Sequence, residues 1–188
     1  MAFDPTNSLT AFFQEAISEA IRNQGVPASE LTEFYLVRLL ADYARTPVDD
    51  EPLALQMAQA QVASTEERAR KLRDIGDRSL YVSGFFSDSL NRSLVDVDYY
   101  IRMGGSAYRQ LARLPARVTS AFSPVYGELS EGFPRFVDVL AEVSESSALS
   151  SDRGVVQLYE RYLKTGSEWI ARRLRARGVL PRPAGDVQ

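Results

Sequence analysis

The chain has no cysteine and no histidine, and only two lysines, Lys71 and Lys164, against twenty arginines. Without thiols, neither disulfides nor thiolate metal sites can form. Without imidazole, the commonest metal ligand and the commonest general base near neutral pH are both missing. That excludes His-bearing zinc hydrolases, histidine-dependent triads and Glu-x-x-His di-iron bundles. Carboxylate and tyrosine chemistry stays open, but the composition nominates no catalytic residue, no metal site and no cofactor. Apolar runs are short as well. None approaches the roughly 18 residues that a membrane span needs, and Met1 to Ser8 holds Asp4 and no basic residue, so a cytoplasmic protein is expected.

What is present is ordinary for a globular chain. The 188 residues suit one domain, of a size that buries roughly 70% of the surface its unfolded chain exposes. Hydrophobic residues make up 45% and charged residues 25%, values that exclude a fibrous or disordered chain. The net charge of −3 hides an asymmetry: Arg153 to Gln188 carry eight Lys or Arg against three acids, and Met1 to Asp152 fourteen against twenty-two. An acidic body therefore precedes a basic C-terminal stretch.

Helical spacing dominates. Leu9, Phe12, Phe13, Ala16, Ile17, Ala20 and Ile21 form one apolar face, and Gly25 with Pro27 ends that segment. From Ser29 to Arg45 the polar residues Glu33, Arg38, Asp42 and Arg45 make one narrow stripe. Apolar residues cover the rest, including the consecutive run Phe34, Tyr35, Leu36, Val37. No single helical face can bury all four, so this helix either threads the centre of a bundle or meets another subunit. Pro52 suits a helix start, Ser64 with Glu67 fits a capping box, and Ala69, Leu72, Ile75, Ser79 and Val82 carry the next helix. Pro124 must interrupt the pattern Val118 to Leu129, with Ser123 as a candidate cap for the restart. A serine-rich stretch from Ser144 to Ser151 precedes a last helix over about 152–177, and the residues after Gly178 are expected to be a disordered tail.

Leu80 to Ile101 is ambiguous. Leu80, Tyr81, Val82, Phe85 and Phe86 favour strands, and Val95, Asp96, Val97, Asp98 alternate with period two, so a short β-hairpin competes with a helix. Helix is preferred, because Val97, Ile101, Gly104, Tyr108 and Leu111 keep helical spacing. The expected fold is all-α: a single-domain bundle of about seven helices over 1–178, followed by the tail 179–188.

The densest polar and aromatic cluster runs from Asp74 to Arg102, set among Gly76, Gly84, Gly104 and Gly105. A glycine inside a helix costs about 1 kcal/mol relative to alanine, so the group implies a close helix crossing. Tyr81, Ser83, Asp96, Asp98, Tyr99, Tyr100 and Arg102 are the ligand-binding candidates within it. Leu80-Tyr81-Val82-Ser83-Gly84 followed by Val95-Asp96-Val97-Asp98 loosely resembles a nucleotidyltransferase site. There, a strand leads to a phosphate-holding turn, and two alternate carboxylates bind Mg²⁺. The order is Ser-Gly rather than Gly-Ser, and Asp138, the remaining carboxylate to consider, lies in a helical pattern.

Arg161, Lys164, Arg172 and Arg175 fall along one face of the last helix, an interaction surface for an anionic partner or a solvated face. The acidic overall balance argues against nucleic acid. The reading preferred from sequence is a non-enzymatic helical interaction or assembly domain, forming a homodimer or joining a protein partner. The alternatives are a small-ligand or nucleotide sensor with a pocket around 76–105, and a metal-dependent transferase using Asp96 and Asp98. A pocket with converging Arg and Asp would favour the sensor. Paired strands carrying Asp96 and Asp98 would favour the transferase.

Overall fold

A computed structural model describes residues 5–46, 48–49, 51–85 and 96–149, with positions 159, 171, 174, 175 and 179. The fold is all-α, and no strand occurs among the described residues. The chain divides into two compact units, Met1–Val143 and Ser144–Gln188.

In the first unit, α1 (Pro5–Gln24) buries Phe13, Ile17 and Ala20, and Gly25 ends it at φ +61°, a left-handed angle that glycine adopts without penalty. Ser29 caps α2 (Glu30–Tyr43), its hydroxyl accepting from the Thr32 amide at 3.2 Å. α2 packs on α1 along one side and on later helices along the other. Leu36, Val37, Leu39 and Leu40 are therefore buried and Tyr35 is half-buried, while Phe34 stays exposed. Three of the four consecutive apolar residues thus find cover within the chain.

Pro52 sits one position before α3 (Leu53–Val62). Ser64 then caps α4 (Thr65–Leu80) through the Glu67 amide at 3.3 Å. Tyr81–Phe85 extend α4 as a π-helical turn, and α5 (Val97–Ala112) begins after Asp96. Leu80 to Phe85 and Val97 to Ile101 are thus helical rather than a hairpin; 86–95 lie outside the described residues.

α6 (Ala116–Thr119) and a 3₁₀ turn (Ser120–Phe122) lead into α7 (Ser123–Glu131), with Pro124 in its first turn, where a missing N–H costs nothing. The expected Ser123 cap is not made. Phe122 holds the cap position, and the Ser123 hydroxyl instead donates to the Ala112 carbonyl at 3.2 Å. α8 (Phe133–Leu149) contributes Phe133, Phe136, Val139, Leu140 and Val143 to the core. Its Glu142 accepts from Asn23 (2.9 Å) and Gln24 (2.8 Å) of α1.

The tightest packing joins α4 to α5 and α5 to α7. A Cβ added at Gly76 would stand 2.6 Å from Cδ1 of Tyr108, and one at Gly104 2.6 Å from Cβ of Ser79. Those two glycines let the α4 and α5 backbones meet with the fully buried Tyr108 ring between them. Gly105 has only ordinary contacts.

In the second unit, Tyr159, Ala171, Leu174 and Arg175 are helical, and Ala171 and Leu174 are buried. Val179 is no longer helical, and its amide donates to the Leu174 carbonyl at 2.9 Å. The expected tail after it lies outside the described residues.

Candidate functional site

Two helix faces of similar design line one cleft. On α2, Tyr35, Arg38, Leu39, Asp42 and Tyr43 recur at steps of three, one, three and one; on α4, Arg73, Asp74, Asp77 and Arg78 recur at steps of one, three and one. Each set lies on one side of its helix. Together with Asp49, Gln56, Phe122 and Tyr126 they line a cleft of about 570 Å³. That volume is in the range of small-molecule sites.

Asp77 is half-buried in the wall of this cleft. Tyr35 of α2 and Tyr108 of α5 each donate a hydroxyl to its Oδ1 at 2.6 Å, short distances typical of charge-assisted bonds. Its Oδ2 accepts no hydrogen bond among the described residues. Burial pushes the Asp77 carboxyl up to about 6, against the opposing effects of the two tyrosine bonds and of Arg73. Burial likewise raises Tyr35 and Tyr108 well above the ordinary tyrosine range, with Asp77 adding to the effect, so both hydroxyls remain protonated donors. Asp74 is also raised by burial. Burial works against the charge on Arg73, but Tyr126, Asp77, Tyr35 and Asp74 together hold it above the usual guanidinium value.

The remaining walls are aromatic and cationic. Tyr43 stacks on Tyr81 at 4.5 Å and 11° between rings, and Tyr81 stacks on Phe85 at 5.5 Å and 17°. Across the cleft, Tyr35 meets Phe122 at 5.6 Å and Tyr126 edge-on at 5.7 Å. Arg78 is buried and already occupied. It donates to the backbone carbonyls of Asp49 (2.9 Å) and Glu51 (2.5 Å), with the Asp49 carboxylate 4.0 Å away. Among the described residues, none of Arg38, Asp42, Arg73 and Asp74 closes an ion pair within 4.0 Å.

A second concavity of about 620 Å³ lies against Ser29, Glu128, Glu131 and Arg135. Its best-placed acid, Glu128, already accepts from the Ser29 amide at 3.0 Å. It offers no buried group with free capacity comparable to Asp77.

The residues nominated from sequence fall elsewhere. Tyr81 is buried behind Tyr43 and so supports the cleft from the rear, and Ser83 is buried with its hydroxyl donating to the Ser79 carbonyl at 2.6 Å. Asp96 occupies the N-cap position of α5 without making a side-chain cap, and Asp98 lies exposed in its first turn. They are therefore not alternate residues of a strand, as a transferase would require. Tyr99 and Tyr100 are half-buried and meet edge-on at 5.7 Å, and Arg102 is exposed. Of the basic stripe, Arg175 is exposed, and Arg161, Lys164 and Arg172 lie outside the described residues.

Asp77 and Arg78 are cleft residues that fall inside the 76–105 span, though neither is among the residues nominated as ligand contacts. Tyr35, Asp42, Tyr43, Arg73 and Tyr108 were missed as site residues. The available signal was a repeated three-and-one spacing of polar and aromatic residues on two helices that also carry buried faces. No group of three carboxylates among the described residues stands close enough to hold a metal ion. Nor is any described helix long and apolar enough to cross a membrane. Set against protein-family models, curated proteins and solved structures, the chain matches none.

Proposed function

We propose that the chain is a non-enzymatic small-molecule-binding domain whose ligand occupies the cleft between α2, α4 and α7. The observation that carries this reading is Asp77: a half-buried carboxylate fixed by two tyrosine hydroxyls on one oxygen, with the other left for a donor. Oδ2 is not a buried orphan: it reaches solvent at the cleft wall, where a ligand's donor can replace that solvent. Aromatic walls beside an open carboxylate oxygen suit a ligand that completes the site on binding.

The test is to isolate the full chain from its native host, denature it and identify released small molecules by mass spectrometry, in parallel with a chain carrying Asp77→Asn and Tyr43→Ala. The expected result is a compound released by the unaltered chain and missing from the variant. Identical releases from both, or none from either, would refute the reading.

A second reading, the interaction or assembly domain, is favoured by α3, which leaves Leu55 and Val62, seven residues apart on one face, largely exposed. It expects light scattering to give a mass above the 21.0 kDa of one chain. That mass should fall to one chain in Leu55→Glu with Val62→Glu, and a monomer before mutation would end it.

A further inference from the structure

Charge, planarity and donor geometry in this cleft point to one chemical class of ligand, and the inference rests on the cleft being the binding site. We infer that it takes a flat, singly charged organic cation, of the amidinium or guanidinium kind. The ligand's plane would lie on the Tyr43 ring and its N–H donors would face Asp77.

Charge comes first. Arg38, Arg73 and Arg78 line the cleft against Asp42, Asp49, Asp74 and Asp77, three cations to four anions. Arg78 is held by two backbone carbonyls beside the Asp49 carboxylate, so that pair is closed. Arg38 has Asp42 one turn further along α2. Arg73 is then shared between Asp74 and Asp77, both of which act on it. Asp74 also has Arg70, Lys71 and Arg78 acting on it, whereas Asp77 has Arg73 as its leading cation. A monocation facing Oδ2 would neutralise the Asp77 carboxylate, whereas an anion there would be repelled by it.

Shape comes second. Phe85, Tyr81 and Tyr43 form a run of near-parallel rings, and Tyr43 is the member that lines the cleft. The stack fixes the Tyr43 plane from behind. A planar cation laid on that ring gains both stacking and cation–π attraction, which a bulky tetrahedral ammonium satisfies less well. Donor geometry comes third. Oδ1 of Asp77 is taken by two hydroxyls and Oδ2 is not, so the carboxylate offers an edge to a donor in its own plane. Amidinium and guanidinium N–H groups lie in the plane of the cation and suit such an edge.

Benzamidinium, benzamide and benzoate share one flat outline and differ in charge, so the test titrates each into the full-length chain at pH 7.5 by calorimetry. Benzamidinium should bind at least about tenfold more tightly than benzamide, and benzoate more weakly still. Asp77→Asn should cut benzamidinium affinity by about tenfold, and Tyr43→Leu by about fivefold. The asparagine Oδ1 still accepts from Tyr35 and Tyr108, and an unchanged melting temperature in the absence of ligand would check that the fold is kept. Equal affinities for the three probes, benzoate binding best, or benzamidinium weaker than about 10 mM would each overturn the cation inference. Benzoate or benzamide binding that Arg73→Gln or Tyr43→Leu abolishes would overturn the inference and leave the cleft standing as a ligand site.

Discussion

At the scale of single residues, the structure turns on Asp77. Tyr108 is fully buried, so its hydroxyl has no recourse to water if its acceptor is lost. Asp77→Ala would strand that hydroxyl, while the half-buried Tyr35 keeps the cleft and Tyr126 beside it, and should destabilise the fold by about 1–3 kcal/mol in urea unfolding. Asp77→Asn keeps the acceptor and should stay within about 1 kcal/mol at neutral pH; a loss as large as that of the alanine variant would show that the charge, not the acceptor, holds the tyrosines. The pH dependence has a definite sign. Burial raises the folded carboxyl to about 6 from the ordinary aspartate value of 3.8. The Asp77 contribution is therefore fully present below about pH 4 and is lost as pH rises through about 6. The stability of the natural chain relative to Asp77→Asn should fall between those limits and be flat above them, and a rise over the same window would refute the desolvated carboxylate.

At the scale of elements, helix periods and ends were largely legible. The three-and-one spacing that places Phe13, Ile17 and Ala20 on one face also buries them, and Gly25, Ser29 and Ser64 stop or cap helices through local chemistry alone. The glycine crossing was legible as a need, though not as a geometry. Gly76 and Gly104 are tight and Gly105 is not, a distinction made by which face of α5 meets α4. Gly76→Ala should therefore cost about 1–3 kcal/mol, because its methyl would press on the trapped Tyr108 ring, while Gly105→Ala should be tolerated or slightly stabilising. Comparable losses from both would contradict the crossing. Less legible was the region after Leu80, where strand-favouring Tyr81, Val82 and Phe85 are held helical by tertiary packing, in a π turn that buries Tyr81 and Ser83. That turn converts two nominated ligand contacts into supporting structure.

At the scale of the whole molecule, the cleft could not be read from any one segment. Tyr35 and Asp77 are 42 residues apart and Tyr108 and Asp77 31 apart, and what unites them is the packing of α5 on α4 and the reach of Tyr35 from α2 across the cleft. Local pattern drew attention instead to Asp96, Asp98 and Arg102, which the fold leaves at the exposed start of α5. The measurement that bears most directly on the central claim is the melting temperature of the chain across a broad collection of small molecules, compared with that of Asp77→Asn carrying Tyr43→Ala. A ligand at about 100 times its dissociation constant stabilises the state that binds it by about 2.7 kcal/mol, a shift of about 5 °C or more for a chain of this size. The cleft account requires at least one compound that raises the melting temperature of the natural chain by that much and leaves the double variant unmoved. A collection in which nothing shifts the natural chain, or in which every shift survives in the variant, would contradict it.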